Sequence, residues 1–144
     1  MVATQDYEWN QGEDLVISLV YKSGPAGSPV AVDLTAYAFR MDIVGPNGKT
    51  LSVLNDEAIA DTDPNTAGNQ GDTNYEVTLG SAGQITINLS RNLTLPGGPF
   101  YPYLNANPAF VEFNYDMFLR DATNKQRKIL AGTIVVSKSY TKWQ

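Results

Sequence analysis

Ala109-Phe110-Val111-Glu112-Phe113-Asn114-Tyr115-Asp116-Met117-Phe118-Leu119 decides the fold. Val111, Phe113, Tyr115, Met117 and Leu119 share one parity, while Glu112, Asn114 and Asp116 take the other. Such a period of two marks a β-strand with one face in a core and one in water. Asp121-Ala122-Thr123-Asn124 supplies a turn, and residues 127–137 follow as a second long strand, within the stretch Lys128 to Thr141 that finishes the chain in sheet.

The same alternation recurs upstream. Leu15, Ile17, Leu19 and Tyr21 share a parity within residues 14–22, although Val16 and Val20 make the opposite face less polar than usual. Tyr37, Phe39, Met41 and Ile43 oppose Arg40 and Asp42 over residues 36–44, and Gly45-Pro46-Asn47-Gly48 turns that strand into Lys49–Leu54. Tyr75–Leu79, the turn Gly80-Ser81-Ala82-Gly83 and Gln84–Ser90 read as another hairpin, with Ile85, Ile87 and Leu89 inward. Helical periodicity is nearly absent. About eight short strands punctuated by turns point to an all-β fold, an antiparallel immunoglobulin-like β-sandwich with two long irregular loops, and a closed β-barrel is the alternative.

The two loops are residues 55–74, a polar insertion, and 91–108, which contains Pro96-Gly97-Gly98-Pro99-Phe100-Tyr101-Pro102-Tyr103. The latter is too rich in proline for the interior of a strand or helix, so it is expected to be rigid and exposed. Its Phe100, Tyr101 and Tyr103, together with Tyr140 and Trp143 beyond the last strand, are candidate interface anchors, since aromatic residues favour such positions. A carbohydrate platform and a plug over one end of the sandwich are the other readings of that aromatic stretch.

At 144 residues the chain fits one domain, 1–144, which buries roughly 68–70% of its unfolded surface. It has no cysteine and no histidine, which removes disulfides, thiolate metal sites, the cysteine nucleophile and the commonest general base. No catalytic constellation is visible. A net charge of −5 with ten scattered basic residues argues against nucleic acid as a partner, and Lys125-Gln126-Arg127-Lys128 is expected in a solvated turn. Apolar runs fall short of the ~20 residues that a membrane helix needs, and Met1–Asp6 lacks the features of a signal peptide. Synthesis in a cytoplasm without a signal peptide, and no membrane partner, are the expectations.

No cofactor is expected, with one possible exception. Asp61, Asp63 and Asn65 stand at alternate loop positions, and Asp72 falls where a closing carboxylate belongs, as in loops that wrap calcium. Thr66 at the usual glycine position and Pro64 weaken the match, and a solvated turn is the competing reading. Glu112 and Asp116 do not make a glycosidase pair, because four residues of strand separate their backbones by about 13 Å.

Several segments, in order, resemble small structural proteins of tailed bacteriophages, akin to the immunoglobulin-like N-terminal module of upper baseplate proteins. The residues are Gln11-Gly12, Pro29 to Tyr37 around Val32-Asp33-Leu34-Thr35, Arg40-Met41-Asp42-Ile43, Gly83 to Ser90, Tyr115-Asp116-Met117-Phe118-Leu119 and Leu130 to Ser137. Ala36 stands where that pattern usually has glycine, and the loops 55–74 and 96–108 exceed its compact turns. The resemblance implies a non-enzymatic virion protein, at the baseplate or fibre attachment region of a tail, contacting other virion structural proteins and copies of itself. A capsid decoration protein is the alternative within that class, and a calcium-assisted carbohydrate-binding module for host recognition is the alternative outside it.

Overall fold

The computed structural model describes residues 3–24, 27–55, 75–106 and 109–139. In chain order these form β1 (Ala3–Thr4), β2 (Tyr7–Asn10), β3 (Leu15–Val20), β4 (Lys22–Ser23), β5 (Val30–Ala31), β6 (Ala38–Gly45), β7 (Gly48–Leu54), β8 (Tyr75–Leu79) and β9 (Gln84–Leu89). A 3-10 turn at Arg91–Leu93, the helix α1 (Tyr101–Ala106), β10 (Phe110–Arg120) and β11 (Gln126–Ser137) complete them.

The strands divide between two principal sheets. The larger has the order β1-β11-β10-β6-β7 with β2 also on β11, the smaller has the order β3-β9-β8, and β4 and β5 form a separate short ribbon. Placing β6, β10 and β11 opposite β3, β9 and β8, with β7 extending the first set, is the connectivity of an immunoglobulin-like sandwich. Neighbours are antiparallel except at the N-terminus, where β1 and β2 run parallel to β11. Among the described residues the two sheets stay separate, with no strand pairing that closes them into a barrel.

The alternating residues meet between the sheets. Ile17, Ile85, Ile87 and Leu89 from one side and Phe39, Met41, Ile43, Phe113, Met117 and Ile134 from the other are essentially inaccessible and share one core. At about 1.5–3 kcal/mol for each such side chain, this layer is the principal stabilising term. The register keeps the parities aligned: Tyr115 pairs with Ile43 and Met117 with Met41 across β10 and β6, while Ile17 pairs with Ile87 across β3 and β9.

Two local devices hold the strand ends. Asp121 accepts from the amide and hydroxyl of Thr123 and from the amide of Lys125, closing the β10–β11 turn. These bonds, the Thr123 hydroxyl foremost, hold its carboxyl below the usual range. That turn ends before Gln126, so Gln126, Arg127 and Lys128 belong to β11 and not to the turn where the basic residues were expected. Midway along β11, Gly132 lies where an added Cβ would run into the Gln5 carbonyl, so glycine is what lets the N-terminal chain lie against β11. Asp6 bridges the break between β1 and β2 by accepting from the Thr133 amide at 3.0 Å.

Candidate functional site

The Trp9 to Glu13 segment, singled out for Gln11-Gly12, forms a latch at one end of the sandwich. Trp9 is buried by its β2 position, and its indole N–H donates to the Glu13 carbonyl at 2.7 Å. Gln11 is 4% exposed, and each of its polar groups is used. Its Nε2 donates to the Thr94 carbonyl (3.2 Å), its Oε1 accepts from the Ser139 amide (3.2 Å), its amide donates to Ser137 (2.8 Å) and its carbonyl accepts from the Ser139 hydroxyl (2.7 Å). The adjoining Gly12 amide donates to Thr94 Oγ1 at 2.9 Å. A buried amide satisfied in this way specifies geometry, because an unpaired polar group there costs about 1–3 kcal/mol. The latch fixes the chain at Ser139, just beyond the end of β11. Tyr140 and Trp143, the candidates beyond it, lie outside the described residues.

The second motif also builds structure. Leu34 is fully buried, and its amide donates to Gly80 at 3.1 Å, tying the approach to β6 onto the smaller sheet. Asp33 accepts from the Thr35 amide at 3.0 Å and hydroxyl at 2.7 Å, which holds its carboxyl below the ordinary range. Where β7 ends, the Asn55 side chain mimics one more strand residue by accepting from the Phe39 amide and donating to the Tyr37 carbonyl.

The aromatic stretch departs from expectation. Phe100, expected as an exposed interface anchor, is 0% exposed and stacks edge-on against Trp9 (5.2 Å) and Phe113 (4.9 Å). It belongs to the core because the 91–100 segment folds back over the end of the sandwich, with the Phe100 amide bonded to the Leu93 carbonyl. Tyr101 and Tyr103 are half-buried at the start of α1, and Tyr103 meets Phe113 edge-on at 5.4 Å. Pro102 is compatible with this helix because it occupies the first turn, where an amide hydrogen has no partner to lose. The stretch is thus a plug over the core, with Tyr101 and Tyr103 at its rim.

The outward face of the larger sheet carries a surface that the sequence reading did not single out. A groove of about 380 Å³ is lined by Ala38, Phe39, Arg40, Asp42, Leu54, Phe118, Arg120 and Gln126. The pairing explains the assembly, since Arg40 lies opposite Phe118 and Ala38 opposite Arg120 across β6 and β10. It also sets Asp42 directly against Asp116, which by itself is destabilising. Cations on both sides offset the repulsion: Arg40 at 3.0 Å and Lys49 at 3.9 Å from Asp42, and Lys128 at 3.6 Å from Asp116. Ser52, fully buried, donates to Asp42 at 2.5 Å, and the Lys128 ammonium lies 5.6 Å from the Phe118 ring centre. The legible signal was Phe118, an aromatic at an outward position between Asp116 and Arg120, on a strand whose outward row also carries Phe110, Glu112 and Asn114.

Asp61, Asp63, Asn65 and Asp72 of the candidate calcium loop lie outside the described residues. Among the described residues no group of three or more acidic side chains is placed to hold a metal, and no helix is long and apolar enough to cross a membrane. No family model matches the sequence, and no curated protein does. Among solved structures, murine CRIg is similar over 94% of this chain and 92% of its own, at 11% identity and a TM-score of 0.36. At that distance the likeness bears on neither site nor activity.

Proposed function

We propose that this chain is a non-enzymatic structural protein of a tailed bacteriophage virion, a tail component at the baseplate or fibre attachment region. It is made in the host cytoplasm and works through symmetric contacts with copies of itself and other virion proteins. The observation that carries a protein-contact role is the groove around Phe118, because an aromatic flanked by Arg40 and Arg120 is the composition that concentrates binding energy at interfaces. The tailed-phage assignment rests on the ordered resemblance of the sequence motifs. Their structural roles here, a latch at Gln11 and a fastened turn at Asp33-Leu34-Thr35, suit a rigid scaffold that presents contact surfaces.

The groove is tested by Phe118→Ala and Arg120→Glu in a phage that encodes the chain. Among the described residues no ion pair holds Arg120, and Phe118 lies on the outward face of β10 and not in the core, so both variants are expected to fold with stability close to the parent. Particles are expected to incorporate them poorly. Normal incorporation of both would refute the contact role. Copy number in purified particles then separates tail from head: tens of copies fit a tail component, and hundreds fit a capsid decoration protein.

A further inference from the structure

The smaller sheet ends at β3, and among the described residues no strand pairs with its outer side. The direction of its backbone groups follows from Tyr21, just beyond the strand. Tyr21 donates its amide to the carbonyl of Gly83, which precedes β9, and the amide and carbonyl of one antiparallel residue point the same way, so both face the β9 side. Amide direction alternates along a strand, which turns the backbone groups of Val16, Ser18 and Val20 toward the open edge. The side chains on that parity are exposed as well: Val16 at 56% and Val20 at 57%, with Asp14, Ser18 and Lys22. Open edges in soluble proteins are usually blunted by a charge, a proline or a bulge, and Val16 to Val20 contains none of these.

The exposed residues read Asp14, Val16, Ser18, Val20, Lys22, a series symmetric about Ser18 in its apolar members and opposite in charge at its two ends. An antiparallel copy centred on Ser18 therefore sets Val16 against Val20 on both sides of the two-fold axis and Asp14 against Lys22 at each end. The same register puts Ile17 opposite Leu19 on the core side and makes Val16, Ser18 and Val20 hydrogen-bonded positions. Shifting the centre to Ile17 sets Val20 against Asp14, and shifting it to Leu19 sets Val16 against Lys22. Only the Ser18 register matches every pair. Asp14 already accepts from the Arg91 amide through Oδ1 at 2.8 Å, which fixes its side chain and leaves Oδ2 for the incoming ammonium.

We infer that β3 is a homodimer edge, at which two copies of this chain pair antiparallel about Ser18 into a continuous six-stranded sheet of β8-β9-β3 and its symmetry mate. The contact is isologous, so it closes on itself and leaves the Phe118 groove of each copy free for other partners. This inference does not depend on the virion reading, and its test uses the isolated chain.

The chain has no cysteine, so single substitutions report the register cleanly. Directly opposed hydrogen-bonded residues have Cα atoms about 5.5 Å apart, within disulfide reach. Two copies of Val16 are about 14 Å apart in the same register and cannot bridge. Ser18→Cys is thus expected to give a covalent dimer rapidly under mild oxidant, while Val16→Cys forms no covalent crosslink. Sedimentation velocity on the full wild-type chain is expected to show a dimer that dissociates on dilution. Lys22→Asp sets two carboxylates against each other at each end and is expected to weaken the dimer roughly tenfold. The charge swap Asp14→Lys with Lys22→Asp is expected to restore it. A wild-type chain that stays monomeric at high micromolar concentration, with Ser18→Cys crosslinking no faster than Val16→Cys, overturns the inference. A dimer that ignores Lys22→Asp overturns the register.

Discussion

Replacing Phe100 by alanine separates its two readings, core plug and surface anchor. The side chain is fully buried and meets Trp9 at 5.2 Å and 68° and Phe113 at 4.9 Å and 84°, both edge-on. Truncating a buried phenylalanine costs about 3–5 kcal/mol, including the cavity left behind. Two edge-to-face contacts, each worth about 0.5–1.5 kcal/mol, place this site toward the upper end, near 5 kcal/mol. A domain of this kind has on the order of 5–15 kcal/mol in total, so the variant retains only part of its stability. In urea, with a slope of about 2 kcal/mol per molar, the midpoint falls by about 2.5 M while the slope is unchanged. Phe100→Leu refills most of the volume but loses both ring contacts, and is expected to cost about 1–2 kcal/mol. A loss below about 1 kcal/mol for the alanine variant, combined with weakened assembly, would refute the core assignment and return Phe100 to the surface.

Other perturbations probe the latch and the N-terminal strands. Gln11→Ala strands the Thr94 carbonyl and the Ser139 amide, and is expected to cost about 1–3 kcal/mol and to speed hydrogen exchange at Ser139. Gly132→Ala forces the Gln5 backbone away from β11; about 1–3 kcal/mol of lost stability and faster proteolytic clipping near residues 3–6 are the expected readouts. Burial, with Tyr7 next to it, pushes the Tyr115 hydroxyl well above its ordinary 10.0, and burial raises Tyr7 as well. A raised folded-state pKa means that the unfolded chain ionises first, so stability is full below pH 10.0 and falls as pH rises beyond it. Tyr115→Phe removes that group and flattens the alkaline slope, besides losing its bond to the Gln5 carbonyl; an unchanged slope by pH-dependent urea titration contradicts the assignment.

The long strands were legible because each buries one face, and a period of two shows directly in the sequence. Val111 to Leu119 and Ile85 to Leu89 are inward where their parity placed them. The N-terminal pairing escaped notice even though Tyr7-Glu8-Trp9-Asn10 alternates, since four residues carry little pattern and parallel pairing with β11 is a long-range choice. Phe100 was misplaced for a different reason. Proline and glycine do mark an irregular backbone, but irregular backbone can fold over a core as well as project from it, and only the tertiary closure onto Trp9 decides. The Phe118 groove was half-legible, as an outward aromatic set between the charged Asp116 and Arg120. Its partners come from strands distant in sequence, and no local window shows Arg40 beside Phe118.

The account stands most directly on a density map of the intact particle from a phage encoding this chain. It predicts copies of the sandwich in the tail, related by its symmetry, with a neighbouring protein seated on the face that carries Phe118 and Arg120. A complete map of the particle that contains no copy of this chain would contradict it.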